Sequence, residues 1–166
     1  MDLLKALKPI EELEHKLSEL YEWFCTLTRS DEEASAFFAR LSQEELSHQQ
    51  IVQYQKRIVS RNSKIFESIE LNMEDVDKAI LDVNYLRVSE PPRDLETMIR
   101  ITLDFENSTA ENYYRTAMAQ ANPDVAQFLQ RLGLSCATHL KAVQEFAELR
   151  GVLPPTPPKR SDVKMD

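Results

Sequence analysis

Glu45 and His48 stand three residues apart in LSQEELSHQQ, and Cys136 and His139 repeat that spacing in GLSCATHLK. Residues at i and i+3 of a helix share one face, so each pair can grip a single centre. Two more acids fall where a helix would turn them inward. Glu14 lies on the stripe of Ile10, Leu13, Leu17 and Tyr21, and Glu106 on that of Ile99, Leu103, Ala110 and Tyr113. Their neighbours are out of phase: Glu12 sits with Lys8 and Lys16, and Asp104 with Arg100 and Ser108. An uncompensated carboxylate in a core costs on the order of several kcal/mol or takes up a proton. Three inward acids and two histidines at one level therefore point to a cation, and a divalent metal pair is the usual one. Oxygen and imidazole donors suit iron or manganese, with zinc the alternative. The plainer reading pairs Glu14 and Glu106 with Tyr21 and Tyr113 through hydrogen bonds.

Cys136 is either a small buried apolar residue or a thiolate ligand that shifts preference toward zinc. A bond to Cys25 is not expected. Cys25 lies 11 residues along its helix from Glu14, about 16 Å at the helical rise, against a limit of about 7 Å between bridged cysteines. With only these two cysteines the chain cannot build a disulfide scaffold, a zinc ribbon or a four-thiolate iron site. A reducing, cytoplasmic setting is expected.

The elements that must hold these groups are helices. Two glycines in 166 residues are too few for hairpins and bulges, and prolines punctuate the chain at Pro9, Pro91-Pro92 and Pro123. The first helix is expected from Pro9, at its first position, to about Thr28, with Tyr21, Phe24 and Leu27 extending its inner stripe. Ser30-Asp31-Glu32-Glu33 reads as a capping box for a second helix to about Phe66, with Ala34, Phe37, Phe38, Leu41, Ile51 and Val52 inward. Residues 67–93 form a crossover with a short helix from Asn72 to Leu86. Asp94 caps a third helix whose stripe reaches Ala117, and Asn122-Pro123-Asp124 starts a fourth that runs to about Arg150. Tight turns within each pair and one long link between pairs match an antiparallel four-helix bundle with a single crossover. Residues 1–150 form this domain; 151–166, VLPPTPPKRSDVKMD after Gly151, are expected to be an extended or disordered tail.

The bundle also reads as a duplicated hairpin. FFARLSQEELSH (37–48) aligns without a gap on FLQRLGLSCATH (128–139), and Glu14 precedes Tyr21 by seven residues as Glu106 precedes Tyr113. The net charge of -8 and pI near 5.0 repel phosphate backbones, which argues against nucleic acid. No apolar run has the length of a membrane span or a signal peptide.

These residues resemble the rubrerythrin-related family of small ferritin-like, di-iron carboxylate proteins. The pattern is Glu, Tyr seven residues on, a turn, then Leu-x-x-Glu-Glu-x-x-His. It appears in Glu14…Tyr21…Leu41-Ser42-Gln43-Glu44-Glu45-Leu46-Ser47-His48, and in the second half as Glu106…Tyr113…Leu132…Cys136…His139. The resemblance spans about residues 10–150 and implies a ferritin-like bundle. It makes Glu14 and Glu106 terminal ligands, Glu45 a bridge, His48 and His139 terminal nitrogens, and Tyr21 and Tyr113 donors behind them. Cys136 stands where a second bridging Glu belongs, so the centre holds two iron ions, or one if that position is lost.

Two functions follow as expectations. One is an oxidoreductase of peroxidase or ferroxidase type acting on peroxide or dioxygen, served by an external electron donor and pairing as a homodimer. The other is a non-enzymatic bundle with a decayed metal site, kept for dimerisation or partner binding.

Overall fold

The computed structural model describes residues 3–61, 73–108 and 136–154, with backbone alone at 3 and 136–138. The described residues form helices and no strand: α1 (Leu3–Leu27), α2 (Glu32–Arg61), α3 (Glu74–Val88), α4 (Leu95–Glu106) and α5 (Cys136–Leu149). The chain is therefore all-α in its described parts. Among these residues no helix is long and apolar enough to cross a membrane.

The expected stripes become the core. Ile10, Leu13, Leu17, Leu20, Tyr21 and Phe24 of α1 are buried, facing Ala34, Phe37, Phe38, Leu41 and Val52 of α2. An aromatic seam locks the helices near the turn. Phe38 meets Phe24 edge-on with ring centroids 5.4 Å apart, and Phe37 stacks on Phe146 of α5 at 4.0 Å. Such pairs add about 0.5–1.5 kcal/mol beyond the area they bury.

Ladders of polar contacts fix the helix directions. Glu11 binds Gln53 and Lys56, Glu14 meets His48 and Cys25 meets Ser35, so α1 and α2 run antiparallel. Between α2 and α5, Asp31 binds Arg150 at 2.6 Å and Glu45 meets His139 at 3.2 Å, again antiparallel. Arg100 reaches the Val152 carbonyl while Glu106 approaches His139, which sets α4 against α5 in the same sense. Tyr21 binds Glu106 across α1 and α4. The crossover helix α3 lays Val76, Ala79, Ile80 and Val83 inward, and Arg87 donates to the Glu19 carbonyl of α1 at 2.8 Å.

Several boundaries differ from the sequence expectation, each for a local reason. Pro9 lies inside α1, which begins at Leu3. Ala6 and Leu7 are fully buried, so apolar contact holds the turns before the proline despite its missing N–H. Leu27, expected on the inner stripe, is 37% exposed at the end of α1. The cap of α2 is Asp31, whose Oδ1 accepts from Ala34 N at 3.0 Å, rather than Ser30; the shorter acid also receives Arg150. Met73 precedes α3 without a side-chain cap. Asp94 does cap α4, accepting from Thr97 N at 2.8 Å. α4 runs to Glu106 with Asn107 as its C-cap, Asn107 N returning to the Leu103 carbonyl at 2.9 Å.

At the end of α5, Gly151 takes a φ of 70°, and Val152 N returns to the Ala147 carbonyl at 2.8 Å. This reversal turns Val152 and Leu153 back onto the core, so the first residues of the expected tail do pack. The predicted ends at Asn72, Phe66 and Asn122-Pro123-Asp124, the stripe at Ala110 and Ala117, and the tail from 155 onward lie outside the described residues.

Candidate metal centre

Helix phase delivers one polar cluster to the middle of the fold. Glu14 comes from α1, Glu45 and His48 from α2, Glu106 from α4 and His139 from α5; all five are buried. Glu45, fully buried, sits between the two histidines. Its Oε2 lies 3.3 Å from His48 Nδ1 and its Oε1 3.2 Å from His139 Nδ1. Glu14 Oε2 stands 3.5 Å from His48 Nδ1, and Glu106 Oε2 stands 3.8 Å from His139 Nδ1. The imidazole rings stack with centroids 4.7 Å apart. One ligand atom each from Glu45, His48 and His139 can be enclosed within 4.8 Å of the others. The cluster is thus two half-centres, Glu14–His48 and Glu106–His139, joined by one carboxylate.

Glu12 and His15, which share the same spacing by accident, are exposed on α1, and Asp104 is exposed on α4. Tyr21, which the sequence sets seven residues after Glu14 on the same helix, reaches across to the other acid instead: its hydroxyl donates to Glu106 Oε1 at 2.8 Å. The side chain of Cys136 and all of Tyr113 lie outside the described residues. Cys25 is free.

One member was missed by phase reasoning. Glu44, partly exposed, places Oε2 3.1 Å from His139 Nε2. On α2 alone it points away from the stripe; it joins the cluster only because α5 covers that flank. Phe37 and Phe128 aligning in the two hairpins could have signalled that α2 and its counterpart pack together, though not which atom Glu44 meets.

Burial and charge work against each other here. Burial drives the Glu14 carboxyl up to about 8, and burial with the charge of Glu45 drives Glu106 up to about 7. Burial pushes Glu45 upward as well, but its bonds to His139 and His48 overturn that and hold it at about 2. Burial opposes a charged His48, yet Glu14 and Glu45 outweigh it and raise the imidazole to about 11. His139 is raised against burial chiefly by Glu45. Near neutral pH protons therefore supply the positive charge that makes three carboxylates tolerable in this core.

That compensation is incomplete. Among the described residues Glu14 Oε2, Glu45 Oε2, His48 Nδ1 and Glu106 Oε2 are buried without a hydrogen-bond partner, and all four border the shared space. Each still lies within ion-pair distance of an opposite partner, Glu14 and Glu45 on His48 at 3.5 and 3.3 Å and Glu106 on His139 at 3.8 Å, so what is missing is hydrogen-bond geometry rather than charge. Oxygen and nitrogen donors of this kind are what a divalent transition metal takes.

Tyr21→Phe isolates the one hydroxyl that, among the described residues, supports Glu106. Its removal should cost about 1–3 kcal/mol, seen as a lower melting temperature, and should leave Glu106 protonated to higher pH because the bond favours its charged form. A melting temperature equal to that of the wild type would remove Tyr21 from the site. Comparisons of the chain with protein-family models, with curated proteins and with solved structures gave no match.

Proposed function

We propose that this chain is a metal-binding, rubrerythrin-like protein: a ferritin-like four-helix bundle of α1, α2, α4 and α5, with α3 in the crossover, holding a di-metal carboxylate centre. The observation that carries this reading is the set of buried donor atoms without hydrogen-bond partners on Glu14, Glu45, His48 and Glu106, contributed by three helices and facing one another. The contacts α1–α2, α2–α5, α5–α4 and α4–α1 described above support the topology.

Glu14, Glu45 and His48 would hold one ion, and Glu106, Glu45 and His139 the other, with iron favoured and manganese or zinc as alternatives. When bound, an iron pair would supply electrons to dioxygen or peroxide and regain them from an external donor. The chain's own residues have separate tasks. Glu45 binds from both sides and keeps its charge. Glu14 and Glu106, whose protons burial holds, give them up as positive charge arrives. Tyr21 orients Glu106 through its donated bond, and the apolar walls formed by Leu13, Leu17, Leu41 and Ile99 exclude water.

Position 136 carries no carboxylate. This favours unequal half-centres, with Glu14–His48 the tighter, and it is also the observation behind a second reading, a bundle whose metal site has decayed. Elemental analysis of protein purified without chelator separates them. About two equivalents of metal, the second more easily lost, are expected of a carboxylate pair; none, even after anaerobic incubation with ferrous iron, favours the decayed site.

A further inference from the structure

α3 and α4 lie side by side with a groove of about 430 Å³ between them. Ala79, Leu86, Ile101 and Phe105 give it apolar walls, and Tyr85 stands beside it 72% exposed. Asp75 and Asp82 of α3 and Asp104 of α4 border the same groove, against one base, Lys78. These three acids are exposed, and among the described residues no ion pair reaches them. The groove belongs to the outer side of α4: Asp104 is exposed, whereas Glu106, two residues on, is buried in the carboxylate cluster.

The same chain carries a segment suited to that groove. Val152 and Leu153 turn back onto the core, and Arg100 of α4 donates to the Val152 carbonyl at 3.5 Å. The described residues therefore end at Pro154 close to Arg100, and Asp104 lies one helical turn farther along α4, about 6 Å at the helical rise. Beyond Pro154 the sequence reads PTPPKRSDVKMD (155–166). Prolines spaced this way favour a polyproline helix, which loses little entropy on binding and fits grooves edged by aromatic rings. Lys159, Arg160 and Lys164 outnumber Asp162 and Asp166, so the segment is opposite in sign to the groove. Five steps from Pro154 to Lys159 cover about 15 Å in that form, enough to round α4 and reach Asp104. A short tether also holds the segment at high effective concentration, so weak contacts suffice. We infer that residues 155–166 dock in the α3–α4 groove of their own chain. The prolines lie against Tyr85 and Ile101, Lys159 and Arg160 face Asp82 and Asp104, and Lys164 faces Asp75. Docking on the outer side of α4 does not depend on metal at Glu45.

The full chain, as an equal mixture of unlabelled and ¹⁵N-labelled protein, is treated with a water-soluble carbodiimide, which joins a lysine amine to a carboxylate it touches. Peptide mass spectrometry reads the links, with Lys141–Glu145, 3.3 Å apart on α5, as the internal control. Lys159 or Lys164 should be joined to Asp75, Asp82 or Asp104, with both linked peptides light or both heavy. Lys159→Glu with Arg160→Glu should lower the Lys164–Asp75 link about fivefold, the worth of two exposed ion pairs. Adding Asp82→Lys and Asp104→Lys reverses the other side as well and should restore that link. Should a variant fail to fold, the wild-type links decide. Control coupling with no link from Lys159 or Lys164 to the three acids would overturn the proposal. So would links of mixed isotope, which place the segment in the groove of a neighbouring copy, or a loss that the double reversal leaves unrestored.

Discussion

Glu45→Ala is expected to take the protein from about two equivalents of bound metal to none measurable, a larger effect than loss of any other single side chain. Among the described residues Glu45 is the one group that meets both histidines, at 3.3 and 3.2 Å, so its removal opens both half-centres. His48→Ala and His139→Ala should each cost one equivalent. The metal-free variant should also be unstable. Without Glu45 the two imidazoles, stacked 4.7 Å apart, lose the anion they share and keep only Glu14 on one side and Glu44 and Glu106 on the other; breaking a buried pair in this way costs about 3–5 kcal/mol. In a chain of this size that lowers the melting temperature by roughly 10 °C. Metal content by elemental analysis and melting by circular dichroism check the two halves. Metal content equal to that of the wild type would rule out the assigned ligand set.

The second large effect is on pH. Metal-free protein should be most stable near pH 5 and lose stability as pH rises, the reverse of ordinary carboxylate behaviour. Glu14, at about 8 in the fold against 4.5 otherwise, binds more protons folded than unfolded between those values. Glu106 does so between 4.5 and about 7, and His48 between 6.5 and about 11. Stability falls with rising pH wherever the folded state holds the extra protons. Glu45, lowered from 4.5 to about 2, acts in the opposite sense, and only between those values. A melting temperature that falls steadily from about pH 5 to pH 9 is expected. Metal reverses the trend: ligation requires the acids ionised and the imidazoles neutral, so loading near neutral pH should release about three protons. Calorimetry in buffers of different ionisation enthalpy counts them. Flat stability across this range, with no proton release, would contradict the charge assignment.

Much of the centre could be read from helical phase. Glu14 and Glu106 sit on unbroken apolar stripes, while Glu12 and Asp104 do not, and burial follows that division. The Glu45–His48 spacing and the matching His139 needed no more than the i, i+3 rule. Phase fails where a second helix decides. Glu44 belongs with the exposed face of α2 until α5 packs beside it, and no single-helix pattern reports a neighbour. Pro9 misleads for a related reason: its usual place at a helix start is a local preference, overridden by the burial of Ala6 and Leu7. The cap at Asp31 in place of Ser30 was a choice between adjacent capping residues, settled by Arg150, distant in sequence. Val152 and Leu153 belong by composition to the proline-rich tail, yet the Gly151 reversal folds both back onto the core.

The account is tested most directly by anomalous scattering from crystals of the full chain loaded with ferrous iron under anaerobic conditions. Data collected on either side of the iron edge locate the ions without assuming their ligands. The account predicts one anomalous peak bounded by Glu14, Glu45 and His48, and a second, weaker peak bounded by Glu45, Glu106 and His139. Iron bound elsewhere on the acidic surface, with nothing between the two histidines, would contradict it.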